Sequence, residues 1–294
     1  MKHKKIIFGL LIGFLLLGAA LGYFFGASRL PKKLNSSPAN VHYSTFSQKD
    51  FFEKAYNSSV TVRPKQEIFG LIVNHHLLAP HLMAEAFKIV ETDKKRTVVI
   101  LSPNHFSVGA GTVLTSAWAW QTPYGELEPD IKSINSLVST GLVNIEEGPF
   151  GKEHGIANIV AFVKRSIPNA LVIPLIFRST LTLEKASELA AVLKKYLLAG
   201  SLVIGSLDFS HMKTSDQAEL EDAKSLAVIN NFDYQNIQGL DIDSKPALSC
   251  LLRYFELEDA KKFNLLEHTN SSKLLNKLDS HETTSYITGY FSSE

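Results

Sequence analysis

Residues 97–105 read TVVILSPNH. Thr97, Val98, Val99, Ile100 and Leu101 are apolar or β-branched without interruption, the pattern of a strand buried on both faces of a sheet. Ser102-Pro103-Asn104 then breaks the run and delivers His105 into a turn. Two other stretches share the design. Residues 70–73 (GLIV) lead into Asn74-His75-His76, and residues 202–205 (LVIG) lead into Ser206-Leu207-Asp208-Phe209-Ser210-His211. Open α/β sheets bind ligands in the crevice outside the carboxyl ends of their strands. Three apolar strands that each release His or Asp at that edge predict one shared site.

The segments between them fit such a sheet. Residues 77–90 (LLAPHLMAEAFKIV) read as a helix whose first turn accommodates Pro80, so residues 68–101 form a βαβ unit with parallel strands and a right-handed crossover. Residues 46–57 are expected as an amphipathic helix capped by Ser47. Residues 131–140, 156–166, 182–198, 217–232 and 245–257 also read as helices. Residues 170–177 (ALVIPLIF) read as a buried strand in which Pro174 predicts a bulge or a strand end. Residues 263–268 and 283–291 close the chain as strands. The expected fold is α/β, a central mostly parallel or mixed sheet flanked by helices, in one domain over residues 46–294.

The 294-residue chain is 45% hydrophobic, long enough for a large core, and carries 30 basic against 29 acidic residues. A net charge of +1 gives no electrostatic reason to expect nucleic acid as a partner. Cys250 is the single cysteine, which excludes an internal disulfide and any multi-cysteine metal site. In ALSCLLRYF it reads as a small buried hydrophobe. Residues 1–5 (MKHKK) are basic and residues 6–26 carry no charge. About 20 apolar residues at 1.5 Å each cross a hydrocarbon core of roughly 30 Å. A cleaved signal peptide has a shorter apolar region of about 7–15 residues. The expectation is therefore a cytoplasmic tail (1–5), a single-pass membrane anchor (6–26), a Pro/Ser/Asn/Lys linker (27–45) and a domain outside the cytoplasm.

Neutral imidazole is the commonest metal ligand, and two imidazoles with one carboxylate and open positions suit non-haem Fe(II). His75 and His105 supply the pair. Asp243, with Asp241 as the fallback, stands in GLDIDSKP before the helix that Pro246 opens, and is the candidate third ligand. A carboxylate is already ionised near neutral pH and so needs no thiol deprotonation to bind a metal. Asp208 and His211, three apart, are expected to pair so that the carboxylate orients the imidazole as a general acid or base. His154, in a loop before a helix, is a further candidate. His76 is expected to point elsewhere as a packing residue, and His81 and His281 to lie at the surface.

Taken in order, NHHLLAPHLMAEAF, VILSPNH, EHGIANIVAF, VIGSLDFSH and SYITGYF resemble the Memo family, the Memo component (system protein B) of the AmmeMemoRadiSam set. That family is structurally similar to class III extradiol ring-cleaving dioxygenases. The resemblance runs from residue 68 to the C terminus and implies a mixed sheet with a metal pocket at its strand ends. His75 stands at the family's Pro-His position, with Asn74 in place of the Pro. His105 stands at the first histidine of its Gly-Pro-Ser-His-His loop, with Phe106 in place of the second. His154, Asp208 and His211 also fall on family motif positions. The family's Cys-bearing turn is here Asp241-Ile242-Asp243-Ser244-Lys245-Pro246, without Cys. An Asp serving there resembles the two-His-one-carboxylate set of the dioxygenases and removes a thiol-based role.

The expected function is a membrane-anchored metalloprotein that binds a divalent metal, iron first and copper or zinc as alternatives. It would perform redox or oxygenase-like chemistry on an unidentified small molecule. Two other readings stay open. One is a non-catalytic module for a small ligand or peptide on the same fold. The other is a zinc-dependent hydrolase, because the same ligands hold Zn²⁺.

Overall fold

Twelve strands of the computed structural model, which describes residues 40–60, 63–278 and 280–293, join in one mixed sheet. The elements begin with β1 (Val41–Tyr43), α1 (Lys49–Ser58), β2 (Ile68–Val73), α2 (Pro80–Ile89), β3 (Arg96–Pro103) and β4 (Val113–Thr115). Next come β5 (Ala119–Thr122), β6 (Gly125–Pro129), α3 (Ile131–Val138), β7 (Asn144–Ile145), α4 (His154–Ala157) and α5 (Val160–Ser166). The chain goes on through β8 (Ala170–Phe177), α6 (Leu183–Tyr196), β9 (Leu202–Ser206), β10 (Phe209–Lys213) and α7 (Ser215–Asn231). It closes with α8 (Lys245–Leu257), β11 (Lys262–Asn270), α9 (Ser271–Leu274) and β12 (Thr283–Ser292).

The strand order is β1-β5-β6-β8-β3-β9-β2-β12-β10, with β11 beside β12, β4 beside β8 and β7 beside β4. The centre, β8-β3-β9-β2, is parallel, whereas β12 runs antiparallel to β2. β9 lies between β3 and β2, with Val98 opposite Leu202 on one side and Gly70 opposite Val203 on the other. The three strands that release His75, His105 and Asp208 are therefore neighbours, and their carboxyl ends open on one crevice.

Alternation along these strands feeds two cores. Ile72, Val99, Leu101 and Val203 face the layer built by α3, α6, α7 and α8. Leu71, Val73, Val98, Ile100 and Ile204 face the layer of α1, α2 and α5, where Phe52, Phe87 and Phe162 are fully buried. Each such side chain contributes about 1.5–3 kcal/mol on burial. Side-chain caps start most of the helices. Asp130 accepts from Ser133 N at 3.1 Å before α3, and Ser244 accepts from Ala247 N at 3.3 Å before α8. Thr214 and Gln217 form a reciprocal capping box at α7.

Three expectations need correction. Residues 41–43, read as linker, form β1 and pair with β5, so the domain begins before residue 46. Pro174 makes neither a bulge nor a strand end: the β3–β8 ladder runs unbroken from Arg96–Ala170 to Pro103–Phe177. On the other side of β8, β6 pairs with Leu171 and Val172 and β4 with Leu175 to Phe177, so Pro174 falls in the gap where no N–H is needed. The segment after Asp208 is not a free turn but the edge strand β10, bulged against β12. Among the described residues no helix is long and apolar enough to cross a membrane. The expected tail and anchor over residues 1–26 lie outside the described residues.

Candidate metal centre

His75 stands two residues past the end of β2 and is 2% exposed. Its N–H donates to Asp208 Oδ1 at 3.1 Å, and its carbonyl accepts from Asn158 Nδ2 at 2.7 Å, so the backbone is pinned on both sides. The ring is oriented by Ser206. That hydroxyl donates its one proton to the Gly155 carbonyl at 2.7 Å, so it can only accept from Nδ1–H of His75, 3.1 Å away. The lone pair then sits on Nε2, which faces Asp208 Oδ2 at 3.4 Å and Asp243 Oδ2 at 3.3 Å.

His105 is held in the same way by a stronger partner. Glu153, 1% exposed, accepts from the His105 backbone N at 2.9 Å and lies 2.6 Å from Nδ1 of its ring. The same carboxylate caps α4 by accepting from Gly155 N at 3.0 Å. Burial opposes ionisation of Glu153, but the His105 hydrogen bond and charge outweigh it and hold the carboxyl below its ordinary range. His154 opens α4 and stacks on His105 with ring centroids 3.9 Å apart. Gly155 lets the start of α4 lie close against the end of β3, since a Cβ there would meet Ser102 Oγ at 2.0 Å.

Two sets of donor atoms lie within 4.8 Å of one another and could hold a metal ion: His75, His105 and His154, and His75, Asp208 and Asp243. They share His75. The first set sits under a cavity of about 300 Å³ that is also lined by His76 and His211. Burial, then the neighbouring His105 and His154, push the His75 imidazole well below its usual range. Burial, then the Asp208 charge, push the Asp243 carboxyl well above its own. Asp208 is likewise raised by burial. Asp243 Oδ1 is buried without a hydrogen-bond partner. An unprotonated imidazole nitrogen, two crowded carboxylates and an orphaned oxygen repel one another unless a cation or protons lie between them. The donor set fits a divalent metal.

The sequence candidates fall out unequally. His75 joins His105 and His154 in one set and Asp208 and Asp243 in the other, and among the described residues neither set holds His105 together with Asp243. Asp241 joins neither: its Oδ2 accepts from His211 N at 3.2 Å and pairs with Lys213 at 2.7 Å. The expected Asp208–His211 pair is not formed through hydrogen bonds, since Asp208 is spent on His75. His211 lines the cavity, and burial lowers its basicity against the pull of Asp208 and Asp241. Its backbone is set by strain, with φ of 27° at Ser210 and 55° at Met212. Ser210 Oγ donates to Asp222 Oδ1 at 2.6 Å, and the fully buried Asp222 also meets His268 Nε2 at 2.8 Å.

His76, expected as packing, lines the cavity and holds Tyr286 OH at 2.7 Å through Nδ1. His81 is half-buried on α2 and His281 is exposed. Cys250 is fully buried, and burial alone pushes its thiol up. Sequence reasoning missed Glu153 and Ser206 as site residues. Glu153 had a signal, a carboxylate beside His154 at a helix start. Ser206 had only its place at a strand end.

Comparison with known proteins agrees with the resemblance read from the motifs. The family model described as "Memo-like protein" matches residues 42–290. A MEMO1 family protein of Caldivirga maquilingensis is 24% identical over 234 residues, 76% of this chain and 80% of its own. One from Saccharolobus solfataricus is 24% identical over 296 residues, covering 94% of this chain and 99% of its own. One from Pyrobaculum aerophilum is 28% identical over 157 residues, about half of each chain at 52% and 54%.

Proposed function

The chain belongs to the Memo family, and from that premise we propose that it is a metalloprotein with a non-haem iron or copper ion at the crevice. His75 and His105 would hold the ion through Nε2, with Asp243 as the carboxylate. One observation carries the reading. Nε2 of His75, stripped of its proton by the Ser206 arrangement, faces carboxylate oxygens of Asp243 at 3.3 Å and Asp208 at 3.4 Å in a buried place.

A bound metal supplies Lewis-acid or one-electron chemistry toward a substrate or O₂ in the cavity. The chain's own residues do the rest. Glu153 fixes the tautomer of His105, and Ser206 fixes the tautomer of His75. Asp208 pins the His75 backbone through Oδ1 and lends negative charge beside the ligands. His211, unbonded to Asp208 and part-exposed in the cavity, is the group placed to take or give a proton. His154, stacked on His105, closes the opposite wall.

The substrate is proposed only as a small molecule, which a cavity of about 300 Å³ admits. A zinc-dependent hydrolase would use the same ligands. A non-catalytic pocket would not need two oriented imidazoles beside crowded carboxylates. The uncharged run of residues 6–26 supports a membrane-anchored form of this protein. Elemental analysis of protein purified without chelators tests the reading. One iron or copper per chain, lost in His75→Ala, supports it; zinc in that stoichiometry supports the hydrolase, and no metal overturns both.

A further inference from the structure

A second cavity, of about 500 Å³, opens at the amino ends of the parallel strands, opposite the edge that carries the histidines. It lies between the lead-in to β2, the residue 92–96 turn into β3 and Ala199-Gly200 before β9. Arg63, Lys94, Lys95 and Arg96 line it, against Glu67 as the one lining carboxylate among the described residues. Arg96 is fixed in the wall, donating through Nε to Gly200 O at 2.6 Å and through Nη2 to Ile68 O at 3.1 Å.

Among the described residues the other cations of the wall form no ion pair. Ion pairs of Lys and Arg among the described residues use Arg165, Lys194, Lys213, Lys224, Arg253 and Lys273, not Arg63, Lys94 or Lys95. A bland role would be neutralising the negative carboxyl ends of helices at this edge. Lys88 in the last turn of α2 and Lys194 and Lys195 in that of α6 already do so. Lys94 and Lys95 lie beyond the end of α2 at Ile89, outside the turn where a helix dipole acts. Four cations held around a concave space with one carboxylate among them repel one another, and an anion relieves them.

We propose that this cavity is a second binding site, for a small molecule that carries a phosphate group. The volume lies in the range of ligand pockets, about 300–1,000 Å³. A fixed guanidinium offers a planar fork to phosphate oxygens, and mobile ammonium groups add point charges. The phosphate can come from a free phosphorylated compound or from a lipid headgroup.

Calorimetric titration of the full chain at low salt tests this, with inorganic pyrophosphate as one probe and sn-glycerol 3-phosphate, a soluble headgroup, as the other. Saturable binding of either at one per chain is expected, weakening as salt rises. The Lys94→Gln/Lys95→Gln double variant and Arg63→Gln should each lose about tenfold or more in affinity, as expected for charge-assisted contacts to phosphate. Tighter pyrophosphate binding identifies a free phosphorylated ligand, and tighter glycerol phosphate binding identifies a headgroup. Absence of saturable binding by both probes overturns the proposal. So does binding that survives in the charge variants and disappears in His75→Ala, because the anion would then sit on the metal centre.

Discussion

Ser206 Oγ stands 3.1 Å from Nδ1 of His75 while its own proton goes to the Gly155 carbonyl at 2.7 Å. One hydroxyl thereby dictates which nitrogen of a buried imidazole is free. Replacing Ser206 with Ala removes that instruction without removing a ligand. Metal affinity should fall about 10–100-fold, the usual cost of losing an outer partner. Metal titration monitored with circular dichroism should show the fold kept. Unchanged affinity would show that the ring is oriented by packing alone.

Glu153 serves His105 in the same capacity, and it also starts α4. Glu153→Gln keeps an acceptor for the helix but loses the charge at His105, so affinity should drop about 10–100-fold with little change in stability. Glu153→Ala should add a capping loss of about 1 kcal/mol in urea unfolding. Equal stability for the two variants would remove the cap from its role.

Asp243→Ala should abolish stoichiometric metal, whereas Asp241→Ala, whose carboxylate meets Lys213 and the His211 backbone, should keep it. Cys250→Ser should keep it too. The sign of the pH dependence follows from burial. The Asp243 and Asp208 carboxyls are raised above their ordinary range, so without metal they retain protons at pH values where free carboxyls have lost them. A metal must displace those protons, and affinity should therefore rise with pH through the raised range. Calorimetry in buffers of different ionisation heat should show proton release, reduced in Asp243→Asn. Uptake of protons, or none, would contradict the arrangement.

The same shifts act on the metal-free fold, in opposite senses. A carboxyl raised in the folded state contributes stability below its unfolded pKa and loses it as pH climbs through the folded value. His75, depressed by burial, contributes above the ordinary histidine range and loses that as pH falls below it. Asp243→Asn should therefore flatten the loss of metal-free stability on going from mildly acidic to neutral pH. Thermal melts at several pH values in the presence of a chelator measure it.

Asp222→Ala should lower stability by about 2–4 kcal/mol, since it strands both Ser210 and His268 around a fully buried position. Urea unfolding measures the loss. A change below about 0.5 kcal/mol, the size expected of a surface site, would contradict it.

A chain starting at residue 40 should fold and stay dispersed in aqueous buffer without detergent, because β1 begins at Val41. The full chain should require detergent if residues 6–26 enter a bilayer. Gel filtration of both forms decides. Aggregation of the short form, with the long form free of detergent, would reverse the anchor reading.

Much of the architecture was written in local periodicity. β3 could be read because both its faces are buried, which demands an unbroken apolar run, and His105 followed because chain breakers stand at the run's end. α6 could be read from Thr182 and its heptad-like stripe. What escaped was decided by neighbours distant in sequence. Pro174 looked like a strand breaker because the gap between β6 and β4 is invisible in one strand's sequence. β1 carries only three residues and owes its existence to β5. Asp208 was matched to His211 on spacing of three, but the backbone turns at positive φ between them and gives the carboxylate to His75 instead. An Asp ligand reads as ionised on its ordinary acidity, and burial beside a second carboxylate works against that. Glu153 was passed over because it helps another ligand rather than acting as one.

The central place of β9, between β3 and β2, has a consequence for biosynthesis. The donors come from positions 75, 105, 208 and 243, and the strand that unites the first two is made about a hundred residues after His105. A growing chain holds no fragment in which these donors meet. An ion held with Asp243, as proposed, would be captured only after translation has reached the start of α8, by a domain closed around its middle strand. On the proposed reading, metal loading would be a late, post-assembly event, governed by whichever compartment the finished domain occupies.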